Sequence, residues 1–87
     1  MRIKKEFAVR EVAGEFMLIP IGTAALDLNG IITTNEVGAI IWNLLDSVET
    51  EDELIACILN EYDVNEAVAR NDVNDFLQKL RSLDIVE

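Results

Sequence analysis

The chain has 87 residues, of which 51% are hydrophobic, and it carries a net charge of −10 at pH 7. This length supports one domain with one compact core, and the apolar content excludes a chain that is disordered throughout. The charge argues against a nucleic-acid binder, because such proteins need basic groups that displace counterions from phosphate. We therefore predict a single domain over residues 1–87.

The acidic excess lies in the second part of the chain. Residues 1–34 carry four basic and four acidic side chains, whereas residues 35–87 carry three basic and thirteen acidic ones. Such a surface keeps a small domain soluble, and it would also attract a basic protein or peptide segment. The sequence leaves both interpretations open.

The first third of the chain begins with the pattern of a β-hairpin. Residues 7–12 alternate loosely between apolar and polar side chains, and Gly14 can take the positive φ that a tight turn needs. Residues 15–20 are apolar on both faces, which predicts a central strand. Pro20 should end that strand, because proline cannot donate to a β-ladder.

A third strand is predicted at residues 25–28, where apolar side chains alternate with a carboxylate. The Asn29-Gly30 pair that follows is the strongest short turn signal in the chain. Residues 31–33 lie beyond this turn and leave room for a brief return strand.

The rest of the chain has the periodicity of three helices. The first covers roughly residues 36–46, the second begins after residue 50, and the third covers residues 65–82. Their predicted N-caps are Asn35, Thr50 with Glu53 as a capping box, and either Asp63 or Asn65. Their apolar residues recur at helical spacing: Val37, Ile40, Ile41, Leu44 and Leu45; Leu54, Ile55, Ile58, Leu59 and Tyr62; and Ala69, Val73, Phe76, Leu77, Leu80 and Leu83.

The order of elements predicts an α+β fold, in which a three-stranded antiparallel sheet is followed by three helices. Ile85 and Val86 form an extended tail that we place at an edge of the sheet. Trp42 and Cys57 lie beside apolar helix faces. We interpret the tryptophan as a core or rim anchor and the cysteine as a packed core thiol.

The sequence offers no site for catalysis. It has no histidine and a single cysteine, so it cannot build a zinc site or an internal disulfide. The acidic run at residues 49–53 falls at a helix start, where it favours the helix dipole, and it lacks the ligand spacing of an EF-hand loop. Phosphate-binding glycine patterns are also absent. We therefore predict a non-catalytic protein without a metal or cofactor.

The apolar stretches are far shorter than the roughly 18–20 residues of a membrane span. The basic N-terminal residues are not followed by the apolar region of a signal peptide. We predict a cytoplasmic protein. Exposed strand edges and short connections leave a monomer and a strand- or helix-swapped dimer both open.

An ordered set of segments resembles the PqqD-like family. Residues 10–20 are similar to the paired opening strands of that family. Residues 28–45 are similar to its most recognisable stretch, in which an Asn-Glu pair, here Asn35-Glu36, opens the first helix and a tryptophan precedes two leucines. Residues 62–64 and 72–80 resemble its third-helix segment.

This resemblance implies a winged helix-turn-helix-like fold and a function as a recognition element for ribosomally synthesised, post-translationally modified peptides. In such proteins the leader segment of the precursor adds as a strand beside the third strand, in a groove walled by the third helix. The partner enzyme is often a radical SAM protein, and free-standing members act as peptide chaperones.

The predicted peptide site combines the exposed edge of the predicted third strand with one flank of the third helix. The edge residues are Ala24, Ala25, Leu26, Asp27 and Leu28, and the helix residues are Val68, Asp72, Val73, Phe76 and Lys79. Val73 and Phe76 are also compatible with ordinary buried positions in the core. Asp72 is also compatible with an ordinary solvent-exposed position. The alternatives are a winged-helix transcriptional regulator and a module that docks only on a protein partner. The third helix carries balanced charges rather than a basic stripe, which disfavours the regulator.

Overall fold

The computed structural model describes residues 1–22, 25 and 30–87. These residues form three strands, a short 3-10 turn at Leu45–Ser47 and three helices. The elements are β1 (Phe7–Val12), β2 (Glu15–Pro20), β3 (Ile32–Thr34), α1 (Glu36–Leu44), α2 (Glu51–Glu61) and α3 (Glu66–Ser82). The predicted α+β class, with three antiparallel strands followed by three helices, is confirmed.

The sheet has the order β1-β2-β3, so β2 is its central strand, as predicted. The first hairpin runs in register from Phe7↔Pro20 to Val12↔Glu15. Its turn places Ala13 and Gly14 at φ values of 53° and 82°. Two consecutive positive φ values match the twist of the flanking strands, which explains why the chain reverses within two residues.

The third described strand lies where the sequence left room for a brief return strand. It is β3, beyond the Asn29-Gly30 pair, and it pairs antiparallel with β2 from Phe16↔Thr34 to Leu18↔Ile32. Of the predicted edge at residues 24–28, the structure describes only Ala25, which is helical and exposed. The other four residues of that prediction, Ala24, Leu26, Asp27 and Leu28, lie outside the described residues.

Side-chain caps fix the starts of all three helices. Asn35 Oδ1 accepts a hydrogen bond from the Gly38 N–H at 2.9 Å, and Thr50 Oγ1 accepts one from the Glu53 N–H at 3.2 Å. Asn65, rather than Asp63, caps α3. Each cap satisfies N–H groups that have no partner within the helix. Because Asn35 is the cap of α1, this helix begins one residue after β3 ends at Thr34.

One core cluster joins the inner face of the sheet to the three helices. Its fully buried side chains include Leu18, Ile41, Leu45, Leu54, Leu77 and Leu80. Trp42 is 8% exposed and its ring meets Phe7 edge-on at 5.5 Å, which confirms its role as a core anchor. Cys57 is only half-buried, although it packs against this cluster. Within the described part of the chain, no helix has the length and apolar character needed to cross a membrane.

The sequence suggested that the C-terminal tail lies at an edge of the sheet, but the tail pairs elsewhere. Val86 forms a β-bridge with Ile3, and the Lys4 N–H donates to the Ile85 carbonyl at 2.6 Å. Ile85 and Val86 are both buried. The tail therefore closes the core by pairing with the segment that precedes β1, and β3 is not covered by it.

A pH effect is expected where the tail turns. Asp84 has a φ of 59° and accepts a hydrogen bond from the Lys4 ammonium, which lowers the pKa of Asp84 below its ordinary value of 3.8. A carboxylate with a lowered folded-state pKa stabilises the fold above the ordinary value, and this contribution is lost as pH falls through the lowered one. Asn tolerates positive φ, so Asp84→Asn isolates the charge.

Wild type should therefore be slightly more stable than Asp84→Asn at neutral pH, and the difference should vanish well below pH 3.8. Urea unfolding at both pH values measures this difference. A gap that stays constant with pH would assign the effect to something other than the charge of Asp84.

Candidate functional site

The outer edge of β3 presents the backbone groups of one central residue. The directions of the backbone groups follow from Ile21, which directly follows β2. Its N–H donates to the carbonyl of Glu6, just before β1, at 3.1 Å, so Ile21 directs its backbone groups toward the β1 side. Because these directions alternate along a strand, Phe16 and Leu18 direct theirs toward β3. Their partners Thr34 and Ile32 therefore bond back to β2.

Thr33 consequently points its N–H and C=O away from β2. Among the described residues, no strand pairs with this outer side of β3. Side chains alternate as well. Ile32 packs against the core and Thr34 faces the helices, while the Thr33 side chain is exposed on the opposite face.

A cavity of about 270 Å³ lies between the end of β3, the start of α1 and the flank of α3. We call it the groove. It is lined by Thr34, Asn35, Val37, Gly38, Ile41, Asp72, Asp75, Phe76 and Lys79. Its volume is slightly below the range typical of sites for drug-sized ligands.

Gly38 lies where α1 packs tightly against β3 and α3. A Cβ atom at this position would overlap Thr34 Oγ1 and would approach Phe76 Cε1 to 3.2 Å. The absence of a side chain therefore allows α1 to lie close to β3 and α3 at the bottom of the groove. The helix accepts glycine here although it costs about 1 kcal/mol relative to alanine.

The charged side chains of α3 divide between two faces. Asp72, Asp75 and Lys79 line the groove, as their spacing on one helix face predicts. Arg70 and Arg81 instead pair with the α2 carboxylates Asp52 and Glu51, at 3.1 and 3.3 Å. The groove is thus bordered by two carboxylates and one ammonium, and two of the three basic residues of α3 are held at the α2 interface.

The structure brings three predicted site residues together in the groove, namely Asp72, Phe76 and Lys79. Phe76 is 8% exposed and belongs both to the core and to the groove wall. Val73 is fully buried in the core and offers no surface to a ligand. Val68 is 55% exposed and lies at a neighbouring cavity described below.

Sequence reasoning missed the part of the site formed by Thr33, Thr34, Asn35 and Gly38. Two signals pointed there. The short run after Asn29-Gly30 was compatible with a return strand, and a glycine in the first turn of an apolar helix indicates a close approach of another element.

The chain is similar to known proteins in sequence and in fold. A family model described as coenzyme PQQ synthesis protein D (PqqD) matches residues 15–86. The chain belongs to the PqqD family. The match includes β2, β3 and all three helices, and thus the three elements that form the groove, β3, α1 and α3.

Among solved structures, this PqqD-family chain is similar to TbiB1, whose structure is of a complex with the TbiA(beta) leader peptide. The TM-score is 0.68 and the sequence identity is 25%, with 100% of this chain and 95% of the TbiB1 chain covered. No curated protein matches the sequence.

Proposed function

We propose that this PqqD-family chain binds the leader segment of a ribosomally synthesised precursor peptide and presents it to a modifying enzyme. The observation that carries the proposal is the outward-facing backbone of Thr33 directly beside the groove walled by α3. The similarity to TbiB1, a protein solved with a leader peptide bound, supports it.

Strand addition explains how such a site combines affinity with specificity. An extended peptide beside β3 would exchange hydrogen bonds with Thr33, whatever the peptide sequence. Its side chains would alternate between the two faces of the extended sheet. Those on the helix side would enter the groove against Phe76, within reach of Asp72, Asp75 and Lys79.

The chain itself acts as a recognition element in this proposal and performs no chemistry. The reaction belongs to the partner, for which we propose a radical SAM enzyme. We further propose that residues 1–87 act as one domain and that β3 and the groove form the main contact. Val68, Asp72, Phe76 and Lys79 remain proposed contact residues.

A leader peptide encoded beside this gene tests the function directly. We expect a synthetic peptide of this kind to bind with a dissociation constant on the order of 1 μM, about −8 kcal/mol. Amide NMR signals of residues 31–35 and of α3 residues in the groove should shift during the titration. Absence of binding, or shifts confined to other surfaces, would contradict the proposal.

A further inference from the structure

A second cavity, of about 220 Å³, lies next to the groove, between α1, the end of α2 and the start of α3. It is lined by Glu36, Val37, Ile40, Ile58, Tyr62, Val64, Val68, Ala69 and Asp72. Tyr62, Val64 and Val68 are 38%, 43% and 55% exposed. Three large apolar side chains thus remain partly open to solvent around one cavity.

This apolar cavity adjoins the groove, because Val37 and Asp72 line both. Its position also follows from the chain path. β3 ends at Thr34, Asn35 follows, and Glu36 already lines the apolar cavity. A peptide that extends past the Thr34 end of β3 therefore arrives at the second cavity without leaving the surface.

Two carboxylates border the apolar cavity, Glu36 on α1 and Asp72 on α3. Among the described residues, neither forms an ion pair. The whole chain carries a net charge of −10. An apolar surface between two acidic side chains is complementary to an apolar group with a positive charge beside it.

We propose that the apolar cavity is a second recognition site for the same peptide, an inference that rests on the proposed function. It takes one apolar side chain from the part of the leader that lies beyond the strand paired with β3. A neighbouring lysine or arginine of the leader lies against Glu36 and Asp72. The backbone edge thus holds any extended segment, and this cavity selects which leader is held.

The test uses a display library of random 12-residue peptides, selected on the intact chain and on variants. Selected peptides should share an apolar residue next to a basic one, at a fixed distance from a strand-forming segment. Val68→Lys places a charge on the rim of the apolar cavity. It should lower the affinity for these peptides about five- to tenfold, as expected when part of an apolar side chain's burial is lost.

Ala67→Lys is the matched control. It makes the same charge change in the same helical turn, but Ala67 borders a different surface, beside Glu51 and Arg70. Its affinity for the selected peptides should equal that of wild type. Val64→Lys, in the loop before α3, repeats the test if Val68→Lys alters the fold by circular dichroism.

The outcomes separate the two proposals. Peptides that shift the amides of Ile32–Thr34, yet bind wild type, Val68→Lys and Val64→Lys equally, would overturn the second site and leave the proposed function standing. Selected peptides without the apolar-basic pair would do the same. A library that yields no peptide bound at β3 would overturn both.

Discussion

Replacing Thr33 with proline is expected to weaken leader binding on the order of 10- to 100-fold while the protein stays folded. Proline removes the outward N–H and leaves a carbonyl of the bound peptide without its donor, which costs about 1–3 kcal/mol. The ladder with β2 is unaffected, because its hydrogen bonds involve Ile32 and Thr34. Proline is tolerated in edge strands when its missing N–H faces outward.

Two further variants serve as controls for Thr33→Pro. Thr33→Val keeps the N–H and the branched side chain, so isothermal titration calorimetry should give nearly wild-type affinity. Thr34→Pro removes a donor to β2 and should destabilise the sheet itself. Wild-type affinity for a folded Thr33→Pro protein would show that the peptide does not pair with β3.

Gly38→Ala should lower the free energy of unfolding by about 1–2 kcal/mol. Alanine is a better helix former than glycine by about 1 kcal/mol, so an exposed position would gain stability. Here the new Cβ overlaps Thr34 Oγ1 and lies 3.2 Å from Phe76 Cε1. Overpacking of this kind costs about 1–3 kcal/mol and should outweigh the helical gain.

A double-mutant cycle with Thr34→Ala identifies the cause. Removing the Thr34 hydroxyl relieves the worst contact, so Gly38→Ala should be less destabilising in that background, with a coupling energy of about 1 kcal/mol. Urea unfolding of the four proteins measures it. If Gly38→Ala lowers the free energy of unfolding equally in both backgrounds, the contact with Thr34 is not the cause of the destabilisation.

The parts of the fold that the sequence predicted well are those determined by local chemistry. The bounds of β1 and β2 follow from their residue pattern and from the turn at Gly14. The caps Asn35 and Thr50 act within three residues of themselves. Such signals lie entirely within one short segment, so they can be recognised without knowing the rest of the structure.

The prediction of a strand at residues 25–28 rested on alternation within one segment, and of these residues the structure describes only Ala25, which is helical. Residues 25–28 have the alternation of a strand, whereas β3 is three residues long and shows little pattern of its own. β3 is defined instead by its pairing with Phe16 and Leu18, which are distant in sequence. Strand preference is largely a matter of packing against neighbours, which a single segment does not reveal.

The groove was predicted only in part for a similar reason. The helical spacing of Asp72, Phe76 and Lys79 placed them near one face of α3. The opposite wall comes from Thr34 and Gly38, which are distant in sequence. The glycine at position 38 indicates that some element approaches α1 closely, but no local pattern identifies β3 and α3 as those elements.

The short length of β3 has a consequence for how copies of this protein behave at high concentration. Long exposed edges template sheet growth between copies and lead to aggregation. Here the outward ladder of β3 is reduced to the backbone of Thr33, and each copy carries a charge of −10 that repels the next. The edge thus suits the short peptide segment proposed above and offers little template for sheet growth between copies.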